Sequence, residues 1–105
     1  RQNIPETVKH TEADRDRNKI HRYVEAIESR GCDITANYAD WVRIGMAISS
    51  AMGVEGENYY HRISQFNPDY NREKTAKKYA ELMRNAKSVG IGSFFKIAND
   101  NGIRP

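Results

Sequence analysis

The sequence predicts an all-α fold, a compact bundle of about five helices in a single domain. Its 105 residues are enough for one hydrophobic core and too few for two. Apolar residues recur at the three- to four-residue spacing of a buried helix face, and residues that start or end helices bound each periodic segment. No stretch alternates apolar and polar residues for long enough to indicate a sheet.

The first helix follows a polar segment without apolar periodicity. We expect residues 1–10 to be a flexible lead-in or linker and residues 11–103 to form the helical domain. Thr11 is the expected N-cap, and Gly31 is expected to end the helix in a left-handed conformation. Cys32 should then fold back onto the last turn as a small buried hydrophobic residue. The predicted inward residues are Ile20, Tyr23, Val24 and Ile27.

The second helix has the most hydrophobic sequence, and we expect it at the centre of the core. Asn37 is its expected N-cap and Gly53 its expected end. A glycine within a helix, such as Gly45, costs about 1 kcal/mol relative to alanine. We therefore expect a neighbouring helix to approach closely at Gly45. The residues predicted to line the buried side are Tyr38, Trp41, Val42, Gly45, Ile48 and Met52.

Three shorter helices complete the predicted bundle. The third is expected over about residues 55–66, because it must end before Pro68, with Tyr59, Tyr60, Ile63 and Phe66 inward. Asn71 should cap the fourth helix, and Ser93 the fifth, which Gly102 should end with Ile103 packed back onto it. The fourth helix is expected to bury Ala76, Tyr79, Met83 and Ala86.

Charge and cysteine content restrict the function classes. The net charge is +3, and all of the excess lies in residues 53–105, which carry nine Lys/Arg and six Asp/Glu. This charge permits an anionic partner without requiring one.

The single cysteine precludes an internal disulfide, which suggests a reducing, cytoplasmic setting. No apolar run approaches the roughly 20 residues of a membrane span. Because the chain begins at Arg1 rather than Met, we expect a piece of a larger protein.

No catalytic constellation is evident in the sequence. His10, His21 and His61 are far apart, without the spacing of a zinc site or a general-base pair. His21 and His61 are expected on the surface. There is no phosphate-binding loop of the Walker type. We therefore expect no catalytic residue, no metal, no cofactor and no enzymatic activity of the isolated domain.

The fourth helix carries the strongest binding signal. Lys74, Lys77, Lys78 and Arg84 are predicted on the side opposite its inward residues, and Lys87 and Lys96 can extend this basic stripe. Such a stripe can follow the phosphates of single-stranded or duplex DNA. Alternatively, Glu73 and Glu81 can pair with these cations on an ordinary solvated face.

Two further features are candidate contacts for nucleic acid. Only one of the adjacent Tyr59 and Tyr60 can face fully inward, and we take Tyr59 as a candidate for stacking on an unpaired base. The helix start at Gly92–Ser93 can hold a phosphate through its free amides, although ordinary capping explains it equally well.

Several segments, taken in order, follow the pattern of one known domain family. The first is Asp33-Ile34-Thr35, and the others are 38–47 (YADWVRIGMA), Gly53, Gly56, Tyr59-Tyr60, Ser64, 68–70 (PDY), 91–98 (IGSFFKIA) and 101–103 (NGI). Together they resemble the primase C-terminal 2 (PriCT-2) domain family, and the resemblance covers roughly residues 20–103. Members often have Trp near Tyr79 and Thr near Ser93, and both replacements keep the physical role.

The resemblance implies a non-catalytic accessory domain of a primase or primase–helicase from phages, plasmids and other mobile elements. It is also similar to the version in virulence-associated protein E-like chains, where it lies beside a polymerising or ATP-hydrolysing domain. Contact with nucleic acid is the leading hypothesis for its role. The alternatives are a protein-interaction or spacer domain, which docks the primase part to a helicase or partner subunit without DNA affinity, and a hidden hydrolase with convergent titratable groups in a pocket.

Overall fold

A computed structural model describes residues 12–85 and 89–105 of the chain. These residues form five α-helices and one 3-10 turn, and neither range contains a strand. The all-α prediction is therefore confirmed. The helices are α1 (Glu12–Arg30), α2 (Tyr38–Met52), α3 (Glu57–Ser64), α4 (Arg72–Arg84) and α5 (Gly92–Asp100), with the 3-10 turn at Gly53–Gly56 between α2 and α3.

Helix α1 follows the predicted pattern wherever it is described. Its four predicted inward residues are all buried. Gly31 has φ +61° and ends the helix, and the Cys32 amide donates to the Ile27 carbonyl at 3.3 Å. Cys32 is half-buried and packs against the core. Residues 1–10 and the expected cap at Thr11 lie outside the described residues, so the division into lead-in and domain stays a prediction.

Helix α2 lies at the centre of the bundle, because it contacts each of the other four α-helices. The Asn37 side chain accepts a hydrogen bond from the Asp40 amide at 3.1 Å, and Gly53 has φ +60°, so both predicted ends are confirmed. Its buried residues are Ile44, Gly45, Ala47 and Ile48. Three residues predicted to be inward are not fully buried: Trp41, Val42 and Met52 are half-buried. A fourth, Tyr38, is 63% exposed.

Gly45 is the point where α3 and α4 both come close to α2. A Cβ at Gly45 would lie 2.5 Å from Leu82 Cδ1 and 2.9 Å from Tyr60 Cζ. The Tyr60 ring also stacks on Trp41, with centroids 5.4 Å apart and planes at 16°. The expectation of close approach at Gly45 is therefore confirmed.

The third helix is shorter than predicted. Residues 53–56 form a 3-10 turn, and α3 spans only Glu57–Ser64. The Tyr79 hydroxyl donates to the Gly53 carbonyl, and a Cβ at Gly56 would lie 2.6 Å from Ile48 Cγ2. The chain thus packs tightly on α2 and α4 before α3 begins, and helical periodicity alone does not reveal such packing. At the other end, Phe66 is half-buried in a turn rather than in the helix.

Helices α4 and α5 each pack on α2. The Asn71 side chain caps α4 by accepting from the Lys74 amide at 2.8 Å, as predicted. Thr75, Tyr79 and Leu82 are buried, whereas the predicted Ala76 and Met83 are half-buried, and Ala86 lies outside the described residues.

The two ends of α5 differ in how well they were predicted. Ser93 is not its N-cap: α5 begins at Gly92, and the Ser93 amide already donates to the Gly90 carbonyl within the preceding turn. Gly102 has φ +85°, and the Ile103 amide donates to the Ala98 carbonyl at 3.0 Å with the Ile103 side chain buried. The predicted C-terminal end is therefore confirmed.

Candidate nucleic-acid interface

The outer side of α4 is the most cationic surface of the helices. Helix α4 contains five basic residues and two acidic ones, so its net charge of +3 equals that of the entire chain. Thr75, Tyr79 and Leu82 anchor one side of the helix in the core. The charged residues are therefore held on the other side by the helical period.

Four of the five cations of α4 have no ion-pair partner among the described residues, and one of these, Arg72, is the first residue of the helix. Lys74, Lys77 and Arg84 are exposed, and no carboxylate of the described residues lies within 4.0 Å of their charged nitrogens. Lys77 and Arg84 are seven residues apart and thus lie on the same side of the helix. The alternative pairing of Glu73 with Lys77 does not form. We refer to Lys74, Lys77 and Arg84 as the cationic face.

Lys78 differs from its neighbours, because it is already engaged. It is half-buried, its Nζ lies 3.3 Å from Glu81 Oε1, and the same nitrogen lies 5.5 Å from the centroid of the Tyr38 ring. The pKa of Lys78 is raised, mainly by hydrogen bonding with Tyr38 and further by Glu81. Partial burial acts in the opposite direction. Lys78 is therefore not part of a free basic stripe, contrary to prediction.

The structure does not bring Lys96 together with the cationic face. Lys96 is exposed on α5, and its Nζ lies 3.3 Å from Asp100 Oδ2. Lys96 lines a second cavity of about 250 Å³ together with Asp40 and Arg43. Helices α4 and α5 share no substantial contact, so Lys96 does not extend the surface of α4. Lys87, the other predicted extension, lies outside the described residues.

Tyr59 is half-buried and has neighbours on α1 and α3. Its hydroxyl lies 2.9 Å from His21 Nδ1, and the Arg62 guanidinium carbon lies 5.3 Å from its ring centroid. Tyr60 is fully buried, which agrees with the expectation that only one of the two tyrosines faces inward. The Tyr59 ring is thus partly covered by residues of α1 and α3.

A groove beside the start of α4 was not predicted. It has a volume of about 360 Å³, and Lys74 lines it together with the exposed Tyr38 and the half-buried Trp41. Tyr38 is on the first turn of α2, where the apolar period predicted burial. The remaining lining residues are Thr35, Ala36, Ser64, Asn67, Asp69, Tyr70, Asn71 and Thr75.

His61 is buried rather than on the surface. It is 8% exposed, its Nδ1 lies 2.8 Å from the Tyr70 hydroxyl, and its Nε2 lies 3.1 Å from Glu57 Oε2. The imidazole is therefore held by two side chains in the interior. The expectation for His61 was wrong, whereas His21 is exposed as expected.

The described residues contain neither a cluster of metal ligands nor a membrane-spanning helix. No three His, Cys, Asp or Glu side chains in residues 12–85 and 89–105 are grouped so that they can hold a metal ion. Over the same ranges, every helix is too short or too polar to cross a membrane.

The fold and the site together define a small all-helical domain with one cationic helix face. Comparison of the sequence with protein families gives a match to Primase C terminal 2 (PriCT-2) over residues 21–98. The chain belongs to this family, and the resemblance found in the sequence is confirmed. No curated protein and no solved structure shows significant similarity to the chain.

Proposed function

We propose that this chain is a non-catalytic accessory domain of a DNA primase or primase–helicase of a mobile element. In this proposal it assists replication by contacting DNA through the cationic face of α4. The observation that carries the proposal is that Lys74, Lys77 and Arg84 are exposed on one helix and have no ion-pair partner in the described part of the chain. Membership of a primase C-terminal family supports DNA as the anion.

Cations without partners are suited to binding phosphate, because no ion pair has to be broken first. Each phosphate that is neutralised also releases condensed counterions, which favours binding. From Lys74 to Arg84 the helix rises about 15 Å. This length corresponds to several phosphates of one strand, since successive phosphates advance by about 3.4 Å along the axis of B-DNA.

A docking role without DNA affinity finds less support. A large contiguous apolar patch on the surface marks a docking site. The large hydrophobic side chains that are exposed in the described residues are Tyr38 and Val54. They flank the two ends of α2, whose 15 residues span about 22 Å, so they do not form one patch.

A hydrolase role finds no support in the larger groove. Its lining includes one carboxylate, that of Asp69, and no histidine. General acid–base hydrolysis needs at least two convergent titratable groups of suitable pKa. We therefore retain the non-catalytic proposal.

A charge reversal tests the proposal directly. We expect Lys74→Glu/Lys77→Glu/Arg84→Glu to lose binding to a labelled single-stranded oligonucleotide by more than about 10-fold, since three phosphate contacts become repulsive. The measurement is fluorescence anisotropy at low salt. Arg15→Glu/Arg22→Glu/Arg104→Glu is the matched control, because it changes the net charge equally at exposed positions outside α4.

The salt dependence of the unmodified chain provides the second readout. Three phosphate contacts to a single strand predict a slope of about −2 for log affinity against log salt concentration. Loss of binding that is equal in both triple variants would show that net charge alone matters. Affinity independent of salt would exclude the proposed contact altogether.

A further inference from the structure

The groove beside α4 contains an aromatic ring that is open to solvent. Tyr38 is 63% exposed, although it belongs to the apolar side of the most hydrophobic helix. Its ring is tilted at 51° against Trp41, with centroids 5.8 Å apart. The indole in turn is fixed, because it stacks on Tyr60 and its Nε1 donates to Ser64 Oγ at 2.9 Å. The groove therefore has a rigid aromatic wall with a second, exposed ring on it.

Positive charge lies next to this aromatic wall. Lys78 Nζ lies 5.5 Å from the Tyr38 centroid, and Lys74 lines the same groove. The lining carries one acid, Asp69. Lys74 also belongs to the cationic face, so the groove opens at one end of the surface proposed to follow the DNA backbone.

The groove also offers hydrogen-bonding capacity and sufficient volume. About 360 Å³ falls in the lower part of the range for small-ligand sites. The Asn71 Oδ1 atom is used by the α4 cap, which leaves the Asn71 amide nitrogen with no hydrogen-bond partner in the described part of the chain. Aromatic, cationic and amide groups in one groove are the combination that binds an unpaired nucleobase with its phosphate.

We propose that this groove binds one unpaired base of single-stranded DNA, stacked on Tyr38, with Lys74 beside the adjoining phosphate. The inference rests on the proposed function and adds a strand preference to it. Bases within a duplex are stacked on both faces and must be extruded before they can reach such a site. The domain therefore favours single strands over duplex DNA.

The chain carries its own probe of this site, because Trp41 is its single tryptophan and lines the groove. We expect quenching of the Trp41 fluorescence by a short oligothymidylate, and none by an abasic strand of the same length or by a duplex. Anisotropy of labelled strands gives the affinities independently. The abasic strand should bind more weakly than oligothymidylate, by the contribution of the stacked base.

Substitution of Tyr38 tests the stacking itself. Tyr38→Ala should weaken single-strand binding roughly 5- to 100-fold, whereas Tyr38→Phe keeps the ring and should bind nearly as the unmodified chain does. Val54→Ala is the matched control, since Val54 is the other large exposed hydrophobic residue described. Circular dichroism checks that each variant is folded.

The possible outcomes separate this inference from the proposed function. Equal, salt-dependent binding of the abasic strand and oligothymidylate would overturn the base site and leave the backbone contact of α4 intact. Unchanged single-strand affinity of Tyr38→Ala would also overturn the base site. No affinity for any strand would overturn both proposals.

Discussion

Glu28 on α1 and Arg62 on α3 form an ion pair with two contacts. Arg62 Nε donates to Glu28 Oε2 at 3.0 Å, and Arg62 Nη2 donates to Glu28 Oε1 at 2.6 Å. The Arg62 side chain is 26% exposed and the Glu28 side chain 31% exposed. Hydrogen bonding by the Arg62 guanidinium is the main cause that holds the pKa of Glu28 below its usual value. The pair thus links two helices that are distant in sequence.

This pair predicts a pH-dependent contribution to stability. A carboxylate whose pKa is lowered by folding stabilises the protein above its unfolded pKa, near 4.5, and loses that contribution as the pH falls through the lower folded pKa. We expect Glu28→Gln to lower the free energy of unfolding by about 1 kcal/mol at neutral pH. The difference should vanish at a pH below the folded pKa, as measured by urea denaturation.

The control for this prediction is Glu73→Gln, which removes the same charge from an exposed site that has no ion pair among the described residues. Glu73 lies in the first turn of α4, so we expect its loss to cost only about 0.5 kcal/mol, the contribution of a carboxylate at a helix N-terminus. A loss of equal size in both variants would contradict the role given to the Arg62 contact.

At the residue scale, the sequence predicted the side of a helix on which charged residues lie better than it predicted the burial of aromatic residues. Lys74, Lys77 and Arg84 lie on the outer side of α4 as expected, because helical spacing decides this. Tyr38 and His61 were placed wrongly, and Lys78 is engaged rather than free, since these environments depend on contacts between elements. His61 is hydrogen-bonded to Tyr70, which lies in the segment after α3. Lys78 contacts the ring of Tyr38, which belongs to α2. No periodic pattern encodes such contacts, and the groove at Tyr38 was therefore missed.

At the element scale, helix ends with local hydrogen bonds were predictable. Asn37 and Asn71 cap their helices through bonds to residues three positions later, and Gly102 ends α5 with a positive φ. Such signals lie within a few residues of sequence. Ser93 and the start of α3 were misplaced, because a preceding turn and tight tertiary packing decide those boundaries.

Gly45 yields a prediction for the packing of α2. Gly45→Ala gains about 1 kcal/mol in helix propensity. Its methyl group would overlap Leu82 and the ring of Tyr60, and overpacking typically costs about 1–3 kcal/mol. Because the rigid Tyr60 ring cannot easily move, we expect a cost in the upper part of this range and hence a net loss of about 1–2 kcal/mol in the free energy of unfolding.

Gly92→Ala is the matched comparison for this test. Gly92 is the first residue of α5, and a Cβ there would meet nothing within 4 Å. Chemical denaturation should show no loss of stability for Gly92→Ala, in contrast to Gly45→Ala. If Gly45→Ala were as stable as the unmodified chain, the close approach would not restrict this position.

At the scale of the whole molecule, two buried phenols join the core to the ends of α2. The Tyr60 hydroxyl donates to the Trp41 carbonyl at 2.9 Å, and the Tyr79 hydroxyl donates to the Gly53 carbonyl. Both rings are fully buried. Burial raises the pKa of Tyr60 and of Tyr79 well above the usual value of a phenol.

These phenols predict loss of stability in alkali. In the unfolded chain they ionise near pH 10, whereas in the fold they stay neutral, so the unfolded state is favoured increasingly as the pH rises above about 10. Tyr79→Phe should be less stable near neutral pH and should show a shallower decline in alkali. Thermal unfolding followed by circular dichroism measures both. A decline as steep as that of the unmodified chain would contradict this role of Tyr79.

The central position of α2 has a consequence for how such domains can diversify. A change on its inward side disturbs the packing of four other helices at once. Substitutions at Lys74, Lys77 and Arg84, by contrast, change exposed side chains that form no ion pair within residues 12–85 and 89–105. If the cationic face binds DNA as proposed, point substitutions on this single helix can therefore alter the affinity without altering the packing of α2.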